Sequence, residues 1–213
     1  MLNLILWSLI GLETIIAVLC VCRHKRMLQM MNRNVNNDSY YCLGRLAREI
    51  YELACEDLKL GDSYLSIAIK DLGNITMGQT ACDMRYKLVV GININPNQTL
   101  ENFVNTVLHE TRHYYQSIMT PELIFETDYI SGVKEENFDA YYAQDIEIDA
   151  RQYADIAAKK YRRRIVKMIK QYHKQNSKQI YIFSFFRYYF SFQSPKRHHY
   201  DKISSFVFIS HNF

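Results

Sequence analysis

The stretch Thr99-Leu100-Glu-Asn-Phe103-Val-Asn-Thr-Val107-Leu108-His109-Glu110-Thr111-Arg112-His113-Tyr114-Tyr115-Gln116-Ser117 decides the reading of this chain. Apolar residues at 100, 103, 104, 107 and 108 recur at helical spacing, and Thr99 or Asn97 can cap the first turn. A helix over about 100–117 follows, ending before Pro121. It carries His109-Glu110-Thr111-Arg112-His113. Residues four apart on a helix lie about 40° apart in azimuth and ~6 Å apart along the axis. Both imidazoles therefore face one side and can hold one zinc ion. Glu110, one residue round, reaches a metal-bound water rather than the metal and can take its proton.

A catalytic zinc takes three protein ligands and leaves one position open. Gln116 and Met119 stand where a metzincin extension would carry Gly and His, so that branch is excluded. A second helix over about Asp139–Asn176 offers the third ligand. Ala143, Ala150, Ala154, Ala157, Tyr161, Ile165, Met168 and Tyr172 mark its inward stripe, and Glu147 falls on that stripe. A buried carboxylate is costly unless something pairs with it, and zinc would do so. The alternative partner is a core Tyr or Arg. Asp145, Asp149 and Asp128 are the other carboxylates considered, and the two helical ones point off the stripe.

Upstream, Leu43, Leu46, Ile50, Leu53 and Ala54 predict a helix over about 40–58. Tyr64–Asp71 and Met84–Ile94 read as strands, with Gly73 and Gly78 in turns between them. Helix, strands, helix, loop, helix is an α+β order. Lys87–Val90 is the expected edge strand that could bind a substrate backbone. Tyr141, Tyr142 and His173 are candidate donors to a developing oxyanion.

The chain resembles the compact zinc metallopeptidases of the ImmA/IrrE type, which place HExxH on one helix and E-x-x-A-N-x-F-A on the next. Glu147, Ala150 and Ala154 match that second motif. Tyr153 stands for Phe and Arg151 for Asn. The likeness covers roughly residues 80–157. It implies a minimal zincin fold, His109, His113 and Glu147 as zinc ligands, Glu110 as general base, and a protein or peptide substrate. Arg151 also replaces the Asp of the thermolysin-type E-x-x-x-D pattern, which disfavours that branch.

The ends differ from the middle. Leu2–Cys22 is 21 residues long with one charge, Glu13, and Arg23, His24, Lys25 and Arg26 follow it. Its length suits a membrane span, and the trailing basic residues put the body of the chain in the cytoplasm. Glu13 near mid-span favours the competing reading, a buried or interfacial helix. Residues 1–26 are thus expected as an anchor and 27–39 as a linker. Residues 40–178 are the metallopeptidase domain and 179–213 a tail. Twelve Phe or Tyr fall between Ile180 and Phe213 without a helical or strand period. No function is read from that tail, and its His198-His199 pair is a surface pair rather than a metal site.

Composition sets outer limits. Five cysteines at 20, 22, 42, 55 and 82 make no disulfide framework and fit a reducing compartment. A net charge of +4 is too mild to imply nucleic acid. Ten acidic residues crowd Glu122–Asp155, and nine basic ones follow between Lys159 and Lys178. The basic run reads as a solvated helix face, which beside a membrane could touch anionic headgroups. The expectation is a membrane-anchored, cytoplasm-facing zinc endopeptidase. Its rivals are a zinc-binding regulator of the same fold and a non-enzymatic membrane protein with a fortuitous motif.

Overall fold

The computed structural model describes residues 2–36, 38–61, 65–125, 130 and 137–193, with side chains described except at 2–11, 123 and 178–193. Seven helices and three strands occur among them: α1 (Leu2–Met31), α2 (Tyr40–Leu58), β1 (Ser66–Ile69), β2 (Gly78–Asp83), β3 (Leu88–Ile94), α3 (Leu100–Met119), α4 (Glu122–Phe125), α5 (Phe138–Tyr142), α6 (Asp145–Lys160) and α7 (Arg162–Gln193). The mixed α+β architecture is the one the sequence predicts. Residues 1–176 form one compact unit and 177–213 a second, whose described part is the end of α7.

The expected α2 stripe is buried: Leu43, Leu46, Ile50, Leu53 and Ala54 all belong to the core. Lys59 closes the helix in the left-handed region at φ 55°, its N–H donating to the Cys55 and Glu56 carbonyls. The stripe packs with Phe103, Val104, Val107 and Leu108 of α3 and Ile92 and Ile94 of β3. Thr99 caps α3, its side chain accepting from the Asn102 N–H at 3.2 Å.

The sheet departs from expectation in a way that matters for the site. Its order is β1-β3-β2, with β1 parallel and β2 antiparallel to β3. Met84–Lys87, expected within a strand, is the turn of the β2–β3 hairpin, and Gly78, expected in a turn, begins β2. Lys87–Val90 is therefore not an edge strand. It leads from the turn into the central strand, paired on both sides further along, and β1 and β2 are the edges, β2 being the one beside α3 and the cleft.

The single helix expected over Asp139–Asn176 is three. Gln144 is extended (φ −65°, ψ 136°) and caps α6, while its side chain reaches back to the Ile130 backbone. Tyr161 interrupts α6 and α7 (φ −99°, ψ 12°). Its hydroxyl, the Tyr153 hydroxyl and the Lys160 ammonium converge on Asp57 of α2. Neither break carries Gly or Pro, so tertiary ties set them rather than local breakers. Ala143, expected on the inward stripe, lies outside α6 and is exposed.

Residues 32–39 do more than connect. Val35 is fully buried, and the buried Asp38 accepts from Arg33, the Tyr172 hydroxyl and the Asn176 amide. α1 covers the expected N-terminal span and continues to Met31, which packs against the core. Among the described residues no helix is long and apolar enough to cross a membrane. The first half of the expected span, residues 1–11, lies outside the described side chains. The His198-His199 pair lies outside the described residues altogether.

Candidate metal centre

Three elements build the site. α3 presents His109, Glu110 and His113; α6 presents Glu147; and β2 closes one side. The first turn of α6 and the C-terminal half of α3 lie together, bringing the two sequence motifs to one point. Among the described residues, His109, His113 and Glu147 form the one group of His, Cys, Asp or Glu able to hold a metal ion.

The donor atoms are spaced for that task. The two imidazole Nε2 atoms lie 2.9 Å apart. Glu147 Oε2 lies 3.2 Å from His109 Nε2, and Oε1 lies 3.3 Å from His113 Nε2. Ligands about 2.0–2.1 Å from a tetrahedral ion stand ~3.3 Å from one another. The residues thus fit a metal ion without rearrangement beyond a few tenths of an ångström. Two imidazoles and a carboxylate are also a donor set that zinc accepts.

Charge and hydrogen bonding also tie the three side chains to one another. Burial alone would raise the Glu147 pKa, but hydrogen bonds and charge from both histidines outweigh it and hold the carboxyl well below the usual range. Burial likewise opposes charge on His113, yet Glu147, Glu110 and Gln116 together raise its pKa. Both partners shift in the sense that favours an imidazolium–carboxylate pair.

A supporting set of residues occupies positions that the two motifs leave open, or lies just beyond them. His113 Nδ1 lies 2.7 Å from Gln116 Oε1. Gln116 Nε2 donates to Asp149 Oδ2 at 2.6 Å and to the Ile146 carbonyl at 3.0 Å. Arg112 in turn grips Asp149 with two bonds of 2.7 and 3.0 Å. Because the amide nitrogen is committed as a donor, its oxygen faces His113, fixing Nδ1 as the protonated nitrogen and aiming Nε2 at the centre. In the sequence Gln116 stands out only as a departure from the metzincin pattern. Asp149 is no solvated bystander but the anchor of this chain of bonds.

Glu110 is held separately. It is 5% exposed, and Thr80 Oγ1 on β2 donates to its Oε2 at 2.7 Å. β2 approaches α3 so closely at Gly78 that a Cβ there would lie 2.6 Å from Glu110 Oε1 and 2.5 Å from Thr106 Cγ2. Gly78 is glycine for lack of space. Neither Thr80 nor Gly78 carried a signal in the sequence, because GQTACD lacks the apolar alternation of a half-buried strand.

A cleft of about 480 Å³ opens over this cluster. Ile75, Met77, Phe138, Tyr141 and Tyr142 give it apolar and aromatic walls, and Arg151 and Asp155 add charge. Tyr141 and Tyr142, two expected oxyanion donors, do line it. His173, the third, does not: it packs against Tyr172 near Arg33 and Asp38. Asp145 is exposed and outside the metal group, and Asp128 lies outside the described residues.

Comparison with known proteins adds no relative to this geometry. No protein-family model, no curated protein and no solved structure matches the chain.

Proposed function

We propose that this protein is a zinc-dependent endopeptidase, with His109, His113 and Glu147 as ligands and Glu110 as general base. The observation that carries the reading is the convergence of a buried Glu147 from α6 on both histidines of the HExxH helix, at tetrahedral spacing. Zinc held there would supply a water acidified to a pKa of about 7 and a Lewis acid for the scissile carbonyl. Glu110 accepts the proton of that water and returns it to the leaving amine. Thr80 fixes one carboxylate oxygen so that the other is positioned for this transfer. The free edge of β2 gives an extended peptide backbone groups to pair with, the part earlier assigned to Lys87–Val90. The aromatic and aliphatic cleft walls receive its side chains.

Glu110→Gln tests the reading, because an amide keeps the shape and cannot take the proton. The variant should bind one zinc per chain and hydrolyse no peptide that the parent cleaves. Undiminished turnover would remove Glu110 from the mechanism, and a parent that binds no zinc would remove the reading itself.

A membrane location is a separate proposal. Leu12, Ile15, Ile16, Val18, Leu19 and Val21 occupy more than half the circumference of the described part of α1, and each is at least half exposed. The basic residues Arg23–Arg26 follow directly. So broad an exposed apolar surface suits lipid better than water, and the trailing charges would orient the domain toward the cytoplasm. Full-length protein should sediment with membranes and resist an alkaline carbonate wash; recovery in the supernatant would refute the anchor.

A further inference from the structure

We infer that Arg151 is a carboxylate-binding residue of the cleft, so that peptides presenting an anionic group beside the scissile bond are selected. The inference rests on the endopeptidase reading and names its substrate class. Arg151 lies one helical turn beyond Glu147 and lines the same cleft as His109, Glu110 and Glu147. Its guanidinium sits 3.5 Å over the Tyr142 ring, and Tyr142 is stacked on Phe138 with centroids 5.5 Å apart. It donates one further bond to the Tyr142 carbonyl.

These contacts orient the cation without neutralising it. Elsewhere in the described structure Arg33 pairs with Asp38, Arg45 with Glu49, Arg112 with Asp149, and Arg164 with Glu56. Arg151 instead has an aromatic face and a carbonyl for partners, which leave N–H donors for a planar anion. A rigid guanidinium on a stacked aromatic platform loses little freedom on binding. Asp155, one turn further on, lines the cleft without pairing to it among the described ion pairs. The other acids of the cleft, Glu110 and Glu147, are engaged by Thr80 and the histidines. The carboxylate could be an internal Glu or Asp side chain or a free C-terminus, and the chemistry at Arg151 is the same.

The test uses octapeptides of Ala and Phe carrying an uncharged BODIPY label, in three forms. One carries a single internal Glu with an amidated C-terminus, the second replaces Glu with Gln, and the third keeps Gln with a free C-terminus. Binding to the full-length metal-free protein is read by anisotropy, and kcat/KM by cleavage with zinc present. The parent should favour one anionic form over the neutral peptide by roughly tenfold, the partial exposure of the site tempering a stronger charge-assisted bond. Preference for the first or third form identifies the source of the carboxylate. Arg151→Gln should abolish the preference in both readouts, Arg151→Lys should keep part of it, and Arg164→Gln should leave it intact. Equal binding of all three peptides by the parent, or a preference that survives Arg151→Gln, overturns the inference. Cleavage without preference sinks the inference alone, whereas preferential binding without cleavage sinks the endopeptidase reading alone.

Discussion

Gly78→Ala separates the metal site from the base. An alanine Cβ would stand 2.5 Å from Thr106 Cγ2, 2.6 Å from Glu110 Oε1 and 2.8 Å from Glu110 Cγ. Carbon atoms rest at about 3.5–4.0 Å, so something must move by roughly 1 Å. Thr106 can turn its methyl aside only by taking its hydroxyl from Gln98 Oε1, 3.0 Å away. Glu110 is buried and tied to Thr80, and β2 is itself paired to β3, so neither yields freely. Overpacking of this kind costs about 1–3 kcal/mol. A ~1 Å displacement of a catalytic group costs about 100-fold in turnover.

None of the three atoms met belongs to His109, His113 or Glu147, so zinc stoichiometry should stay at the parental value. Thermal unfolding should fall by about 2–4 °C for each kcal/mol lost. Adding Thr106→Ser removes the shortest contact and keeps the hydroxyl on Gln98. That double variant should regain part of the melting temperature and little of the turnover, because the Glu110 contacts remain. Parental turnover and melting in Gly78→Ala would refute the close-approach argument. Loss of zinc in the single variant would show that base and ligands are not held independently.

Gln116→Leu should weaken zinc binding by about 10–100-fold in a chelator competition, since His113 loses the bond that sets its ring; an unchanged affinity would show that packing alone orients it. Glu147→Ala should lower zinc affinity far more than Asp145→Ala, with Asp149→Ala between them because it loosens Gln116 rather than a ligand. Asp57 makes a prediction away from the site. Burial alone would raise its pKa, but bonds from Lys160, Tyr161 and Tyr153 outweigh it and lower the value. Its stabilisation is therefore present above the ordinary carboxylate pKa of about 3.9 and lost as pH falls toward the lowered folded value. Asp57→Asn should accordingly lower stability at neutral pH and flatten the acid limb of a denaturation series. A parallel downward shift at every pH would refute the linkage.

What the sequence revealed of this site depended on helical geometry. HExxH and Glu147 were legible because azimuth on an α-helix follows from residue number, so burial of a carboxylate could be deduced from its alanine neighbours. The breaks at Gln144 and Tyr161 were not, because the ties that set them run to Ile130 and Asp57, far off in the sequence. β2 escaped notice because its residues answer to α3. Gly78 is small so that a helix can pass, and Thr80 is polar so that Glu110 has a donor. Strand propensity would have placed other residues at both positions. Asp149 shows the same limit: its angle from the α6 stripe was right, but the angle cannot tell that Arg112 and Gln116 of α3 wait on that side.

These polar ties bear on how the centre acquires its metal. In a zinc finger the ligands are disordered until the ion arrives, so binding free energy is spent on folding. Here the donors already stand 2.9–3.3 Å apart. His113 is aimed by Gln116, Gln116 is anchored on Asp149, and the whole rests on a core of α2, α3 and β3 that owes nothing to the site. Binding therefore proceeds at nearly fixed geometry. Its free energy depends on pH because both imidazoles must be neutral to ligate, and only weakly on the stability of the domain. Affinity should fall as pH is lowered, even where the fold itself is unchanged.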